Sequence, residues 1–143
     1  MRRRVWLTVL GILVVAGAIS WRGEALAASA DTSNKLSQQV AGGGVTVIAT
    51  LLGEQGEATA IRLALETHSG NLDGYKWETI ATLHDDSGKT YPLQAVENAS
   101  GGGHHRQAVL RFVKLGPGAK TIELVVKDVG GVKERTFRWN TTE

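Results

Sequence analysis

The segment Thr121-Ile-Glu-Leu-Val-Val-Lys127 alternates between inward apolar and outward side chains, and this period decides the fold class. Successive side chains of a β-strand point to opposite faces, so Ile122, Leu124 and Val126 are predicted to share one buried face. The same period recurs in both directions along the chain. The other predicted inward sets are Ile61, Leu63 and Leu65; Leu110 and Phe112; and Phe137 and Trp139, with Arg135 on their side of the strand.

Glycine-containing turns separate the alternating segments, and no segment beyond the N-terminal region has a convincing helical period. Short strands at this spacing are typical of a two-sheet sandwich. The sequence therefore predicts an all-β, two-sheet immunoglobulin-like sandwich of seven to eight antiparallel strands, with a cupredoxin-like or jelly-roll sandwich as the alternative. The predicted strands span residues 45–52, 59–67, 77–84, 89–93, 105–113, 121–127 and 132–139, and the main loops span 69–74, 85–88, 98–103, 115–118 and 129–131.

The first 28 residues have the pattern of a secretory signal peptide. A basic start, Met1-Arg-Arg-Arg4, precedes an apolar run over residues 5–20, and Ala25-Leu-Ala27 has the small residues of a processing site. A retained membrane anchor is the alternative, but this run is shorter than the roughly 20 apolar residues of a spanning helix. We therefore predict a signal peptide over 1–28, a flexible leader over 29–42, one sandwich domain over 43–141, and a secreted or periplasmic location.

Charge and composition exclude several classes of function. Cleavage at Ala28 removes four arginines and one glutamate from the 16 basic and 14 acidic residues, which leaves a formal charge of −1. This balance does not favour nucleic acid or an anionic membrane as a partner. The chain has no cysteine, so a disulfide framework, a thiolate metal site and a thiol nucleophile are excluded. Gly-x-Ser-x-Gly, His-Glu-x-x-His and phosphate-loop motifs are also absent from the sequence, and we predict no enzyme activity and no catalytic residues.

Several phrases in the chain occur in an order that resembles a family. They are Leu65-Glu-Thr-His-Ser-Gly-Asn-Leu-Asp73, Ala81-Thr-Leu-His-Asp-Asp-Ser-Gly88, Gly102-Gly-His-His-Arg106 with Leu110-Arg-Phe112, and Val129-Gly-Gly-Val-Lys-Glu-Arg-Thr-Phe-Arg-Trp139. Together they resemble small secreted bacterial immunoglobulin-like β-sandwich proteins. The resemblance covers most of the chain after the signal segment. It implies a secreted bacterial sandwich, and it implies no particular activity, ligand or site residue.

Strand order predicts where the polar residues of the loops meet. If successive strands run up and down, the loops around residues 68–75, 101–103 and 128–131 lie at one end of the sandwich. His84, Asp85 and Asp86 then lie at the other end, where a solvated turn is a better interpretation than a calcium loop. Imidazole suits copper or zinc, so the candidate metal ligands are His68, His104 and His105, and the candidate ligand-binding residues are Asp73, Arg106 and Asp128.

One objection to the metal site comes from the strand itself. His104 and His105 are adjacent, and adjacent side chains of a regular strand point to opposite faces. The preceding Gly101-Gly-Gly103 could relax this limit by bending the chain, or could simply form a turn. Two functional hypotheses follow: a non-enzymatic binding module of the bacterial cell envelope with a protein partner, or a small periplasmic protein that binds copper or zinc through a histidine cluster. The sequence predicts no other cofactor and does not predict the oligomeric state.

Overall fold

The structure is a computed structural model that describes residues 36–141. Within this range about 67% of the residues are in strands, and helix α1, defined below, is a single turn. No helix within this range is long and apolar enough to cross a membrane. The elements are β1 (Ser37–Gly42), β2 (Val45–Gln55), β3 (Ala58–Thr67), α1 (Trp77–Ile80), β4 (Ala81–Asp85), β5 (Thr90–Tyr91), β6 (Leu93–Gly102), β7 (His105–Val113), β8 (Thr121–Val129) and β9 (Val132–Asn140).

The strands form two antiparallel sheets that pack as a sandwich, which confirms the predicted fold class. One sheet has the order β1-β2-β3-β7-β6, and the other has the order β5-β4-β8-β9. Immunoglobulin domains have the order A-B-E-D in one sheet and C-F-G in the other, with C′ beside C in the variable type. In chain order, β2 to β9 take the positions A, B, C, C′, D, E, F and G. β1 is an additional strand outside the A position.

The core lies between the two sheets and contains the inward sets that the alternation predicts. Ile61, Leu63, Leu65, Leu110 and Phe112 come from the first sheet, and all are 1% exposed or less. β8 and β9 supply the opposite wall, and Trp77 of α1 is also buried there. The residues of that wall which the sequence predicted are Ile122, Leu124, Val126, Phe137 and Trp139.

The prediction of a flexible leader as far as residue 42 is wrong for residues 37–42, which form β1. β1 pairs with β2 along its whole length. It is also held to the other sheet, because the Gln38 side chain donates to the Arg138 carbonyl at 2.7 Å and Trp139 Nε1 donates to the Leu36 carbonyl at 2.9 Å. The predicted signal peptide and the first part of the leader, residues 1–35, lie outside the described residues, as do 142–143.

Two predicted boundaries are also wrong. Residues 77–80 form the helical turn α1 instead of the start of a strand, which buries Trp77 and Ile80 together at helical spacing. Residues 98–102 are part of β6, although the sequence predicted a loop there. The register of β6 against β7 shifts between Glu97 and Ser100, so these residues form a bulged strand. The strand predicted over residues 89–93 is present in shorter form as β5, which has two residues and lies at the edge of its sheet.

Candidate functional site

The loop between β3 and α1 is hydrogen-bonded to the turn between β6 and β7. The Leu72 amide donates to the Gly103 carbonyl at 2.8 Å, and the Thr67 amide donates to the His104 carbonyl at 2.9 Å. In return, the Gly103 amide donates to Asp73 Oδ1 at 2.9 Å. The structure thus brings His68, Asp73 and His104 to one end of the sandwich, where the sequence placed them.

The side chain of Arg106 is hydrogen-bonded to the backbone of this loop. Its Nη1 donates to the carbonyl oxygens of Leu72 and Tyr75, both at 2.7 Å. Its guanidinium lies 5.1 Å from the ring centroid of Trp77, which is within the range of a cation–π contact. The sequence predicted Arg106 as a ligand-binding residue, and the structure shows its Nη1 hydrogen-bonded to the loop itself.

The turn between β8 and β9 joins the same assembly. The Gly130 amide donates to the hydroxyl of Tyr75 at 2.8 Å. Asp128, at the end of β8, has a left-handed φ of 55° and an exposed side chain. We call the surface formed by residues 68–76, 103–106 and 128–131 the loop end. All six candidate residues from the sequence lie in it.

Arg135 connects the loop end to the core, and alternation correctly predicted that it faces inward. It is 2% exposed, and its guanidinium donates to the carbonyls of Val129 at 2.7 Å and Gly42 at 2.6 Å. Burial lowers the pKa of the guanidinium from its usual value. The β1–β2 and β8–β9 turns lie so close together that a Cβ on Gly43 would be 1.7 Å from the Gly130 carbonyl oxygen.

The three candidate metal ligands do not form a compact set. His105 pairs with Glu66 across the strands, on the outer face of the first sheet, and its Nδ1 is 3.9 Å from Glu66 Oε1. His68 and His104 are exposed in the loop and in the turn. Over residues 36–141 there is no group of three or more His, Cys, Asp or Glu side chains that could hold a metal ion. The copper or zinc hypothesis stays a prediction.

At the opposite end, the Asp85-Asp86 turn is internally hydrogen-bonded. Asp85 Oδ1 accepts from the amides of Ser87 and Lys89, at 2.9 and 3.0 Å, and from the Ser87 hydroxyl. The Tyr91 hydroxyl donates to Asp85 Oδ2 at 2.7 Å and accepts from the Gly116 amide at 3.2 Å. The Ser87 and Tyr91 hydrogen bonds lower the pKa of Asp85 from 3.8 to about 2. This turn stabilises the fold through its own hydrogen bonds.

Sequence reasoning missed a cavity at this second end. It has a volume of about 500 Å³ and lies between the sheets, with Leu51, Leu52 and Thr59 on one side and Ile122 on the other. A signal was present in the sequence, because Leu51-Leu52-Gly53 breaks the alternation of β2 just before a glycine. Such a break is typical of a β-bulge.

Comparison of the chain with protein-family models, with curated proteins and with solved structures found no match. The family resemblance in the sequence therefore stays a prediction.

Proposed function

We propose that this protein is an extracytoplasmic, non-enzymatic binding module of the bacterial envelope, and that the loop end contacts a protein partner. One observation carries the proposal: the β3–α1 loop is hydrogen-bonded to both the β6–β7 turn and the β8–β9 turn, while His68, His104 and Asp128 are exposed. Binding surfaces are often loops held by a rigid sandwich. The N-terminal pattern of a signal peptide is the support for the location.

The mutual hydrogen bonds matter because ordering loops on binding opposes association. At the loop end that ordering is already present before any partner arrives, since backbone groups of Leu72 and Gly103 and the carboxylate of Asp73 are paired within the protein. The exposed polar side chains of the loop end include His68, Asn71, His104 and Asp128. A partner would therefore meet a preorganised polar surface with amide, imidazole and carboxylate groups.

The free edge of β6 is a less suitable contact surface. Edge strands bind peptides by extending the ladder, which requires regular backbone spacing. The register of β6 shifts twice, between Leu93 and Ala95 and between Glu97 and Ser100, and Asn98 has a φ of 50°. Bulges of this kind protect edge strands from further pairing. This favours the loop end over the β6 edge as the contact surface.

The test is site-specific photo-crosslinking in intact cells. We expect a crosslinker at His104 to capture a partner, and a crosslinker at Ser87, which is also exposed but lies at the opposite end, to capture none. Purified Arg106→Gln protein, added as a competitor for the partner, should reduce crosslinking at position 104 less than added wild-type protein does. The substitution removes the bonds that hold the loop but keeps the exposed side chains of the loop. The matched control Arg138→Gln should compete fully, since Arg138 is exposed on β9 away from the loop end.

Equal capture from positions 104 and 87, or full competition by Arg106→Gln, would contradict the proposal. The first result would show that contact is not confined to the loop end. The second would show that the internal hydrogen bonds of the loop do not contribute to the affinity.

A further inference from the structure

Strand β9 lies at an edge of its sheet, and its backbone is regular enough to pair with another strand. It has nine residues, and its pairing with β8 shows no register shift. It is the longest such edge strand in the described sandwich, because β1 has six residues, β5 has two and the register of β6 shifts twice. An edge of this kind is open to pairing with a second chain unless something covers it.

One side chain of β1 covers part of the β9 edge. Gln38 Nε2 donates to the Arg138 carbonyl at 2.7 Å, and the Arg138 amide donates to Gln38 Oε1 at 3.3 Å. The side-chain amide of Gln38 thus pairs with both backbone groups of one β9 residue, as a residue of a neighbouring antiparallel strand would.

These two bonds also show which backbone groups of β9 point away from β8. In an antiparallel strand the amide and carbonyl of one residue point to the same side, and successive residues alternate. The backbone groups of Glu134 and Thr136 therefore face the free edge, as those of Arg138 do. The Thr141 amide agrees with this alternation, since it points the other way and donates to the Lys120 carbonyl at 2.9 Å.

Exposed apolar side chains lie beside the same edge. Within the described residues, the large hydrophobic residues that are exposed are Leu36 and Val40, each 36% exposed. The Leu36 carbonyl accepts from Trp139 Nε1 of β9 at 2.9 Å. Val40 points to the same side of β1 as Gln38, because alternate residues of a strand share a face. A strand added at β9 would lie next to these two side chains and shield them from water.

The charges along β9 are complementary to those of a second copy of the same strand. If two β9 strands pair antiparallel about Thr136, Glu134 of each copy lies opposite Arg138 of the other. Pairing about Glu134 would leave Gln38 in place, but it would set two glutamates directly opposite each other, which is unfavourable. The register about Thr136 is therefore preferred, and it requires the backbone groups of Arg138 that Gln38 occupies.

We propose that β9 is a self-association edge, that it pairs antiparallel about Thr136 with β9 of a second copy of this chain, and that Gln38 blocks this pairing by occupying the backbone of Arg138. The chain is a monomer while Gln38 is bound there, and it forms a two-fold symmetric dimer when Gln38 is released. Strand β9 is separate from the residues of the loop end, so this inference does not depend on the partner proposed there.

Analytical ultracentrifugation of the purified protein tests the block. We expect the wild type to be monomeric and Gln38→Ala to dimerise, with a dissociation constant about 30-fold or more below any that the wild type shows. The reason is that four backbone hydrogen bonds between Glu134 and Arg138 of the two copies become available. The matched control is Gln39→Ala, which should stay monomeric, because Gln39 is exposed on the other side of β1.

Three further substitutions in the Gln38→Ala protein test the edge and the register. Thr136→Pro removes an amide that faces the free edge, where a strand tolerates proline, and it should restore the monomer. Thr136→Cys should form a disulfide-linked dimer on oxidation, because residues that exchange hydrogen bonds across two strands have Cα atoms about 5.5 Å apart. Lys133→Cys should not, since in this register the two cysteines would be roughly 20 Å apart. The natural chain has no cysteine, so each variant carries one thiol.

The proposal is overturned if Gln38→Ala, folded by circular dichroism, sediments as the wild type does. It is also overturned if Gln38→Ala with Thr136→Pro still dimerises, because association would then use another surface. A wild type that dimerises as tightly as Gln38→Ala would refute the block assigned to Gln38. If Gln38→Ala does not fold, Gln38→Glu is measured in its place, since glutamate keeps the size of the side chain but cannot donate to the Arg138 carbonyl when ionised.

Discussion

Arg135 illustrates how far a single residue can be read from the sequence. Alternation along β9 predicts that it faces inward with Phe137 and Trp139, and it does. The sequence does not indicate its partners, because the Gly42 carbonyl lies 93 positions away. A buried guanidinium is unfavourable unless its donors are paired. Here Nη1 and Nη2 donate to backbone carbonyls of two turns, which connects the edges of both sheets, while the buried Nε has no hydrogen-bond partner among the described residues.

Replacement of Arg135 by methionine should destabilise the protein. Methionine keeps much of the volume but leaves the carbonyls of Gly42 and Val129 without their donors, and each buried unsatisfied group costs about 1–3 kcal/mol. Relief of the buried charge offsets part of this, so we expect a loss of about 2–4 kcal/mol in the free energy of unfolding. Urea denaturation measures the loss.

The matched control is Arg138→Met on the same strand. Arg138 is exposed and forms an ion pair with Glu123, a kind of pair worth at most about 1 kcal/mol at a surface. If Arg135→Met were as stable as the wild type, the cost of burying the charge would equal the value of its hydrogen bonds.

At the scale of the element, the β6–β7 hairpin shows why the sequence predicted a loop where a strand exists. Residues 98–103 are polar and glycine-rich, which is typical of loops. The strand forms because β7 supplies partners: Ser100 pairs with Gln107 and Gly102 with His105. This pairing depends on the register of two segments, which composition does not reveal. It also places His105 on a regular strand, apart from His104 in the turn.

The glycines of this hairpin should differ in their tolerance of alanine. Gly101 and Gly103 have φ values of 82° and 60°, so alanine is strained at both by about 1–2 kcal/mol. At Gly101 the new Cβ would also lie 2.1 Å from the His105 carbonyl oxygen, whereas at Gly103 no atom lies within 4 Å. We expect Gly101→Ala to lower the melting temperature clearly more than Gly103→Ala.

Thermal unfolding of the two variants side by side measures this difference. Equal losses would mean that the backbone of the hairpin shifts to accommodate the added methyl group at Gly101 without further strain.

For the whole molecule, the sequence predicted the architecture better than the sites. The period of 2 and the turns gave two sheets and the correct inward residues, because those features are local. The sequence did not predict the contacts between distant segments. These are the pairing of β1 with β2, the hydrogen bond from the Gln38 side chain to β9, and the cavity that Leu52 lines. The loop end was predicted in outline, since strands that alternate in direction bring alternate loops together. The sequence did not predict which side chains of the loop end are hydrogen-bonded within it and which are not.

The end opposite the loop end should control stability in acid. The Asp85 carboxylate accepts from the Tyr91 hydroxyl, which in turn accepts from the Gly116 amide. These two hydrogen bonds connect the β4–β5 turn to the segment between β7 and β8. The pKa of Asp85 is lowered from 3.8 to about 2, so its stabilising contribution is complete above about pH 4 and is lost as the pH falls toward 2. The pKa of Asp86 is lowered too, mainly by the Lys120 and Thr121 amides.

Asp85→Asn should therefore flatten the dependence of the unfolding free energy on pH between 4 and 2. Ser87→Ala, which removes the hydrogen bond that lowers the pKa of Asp85 most, should flatten it in part. Urea denaturation at a series of pH values measures both. An acid limb in Asp85→Asn as steep as that of the wild type would assign the acid sensitivity to other carboxylates.

The position of Leu36 and Thr141 beside one cavity has a consequence for modular architecture. The polypeptide enters and leaves the described sandwich at the same place, where the Trp139 indole is bonded to the Leu36 carbonyl. A domain with this connectivity can be spliced into a surface loop of a host protein, because the host chain needs to separate by only a small gap. The loop end would then face away from the host, and the fused scaffold would border the mouth of the cavity.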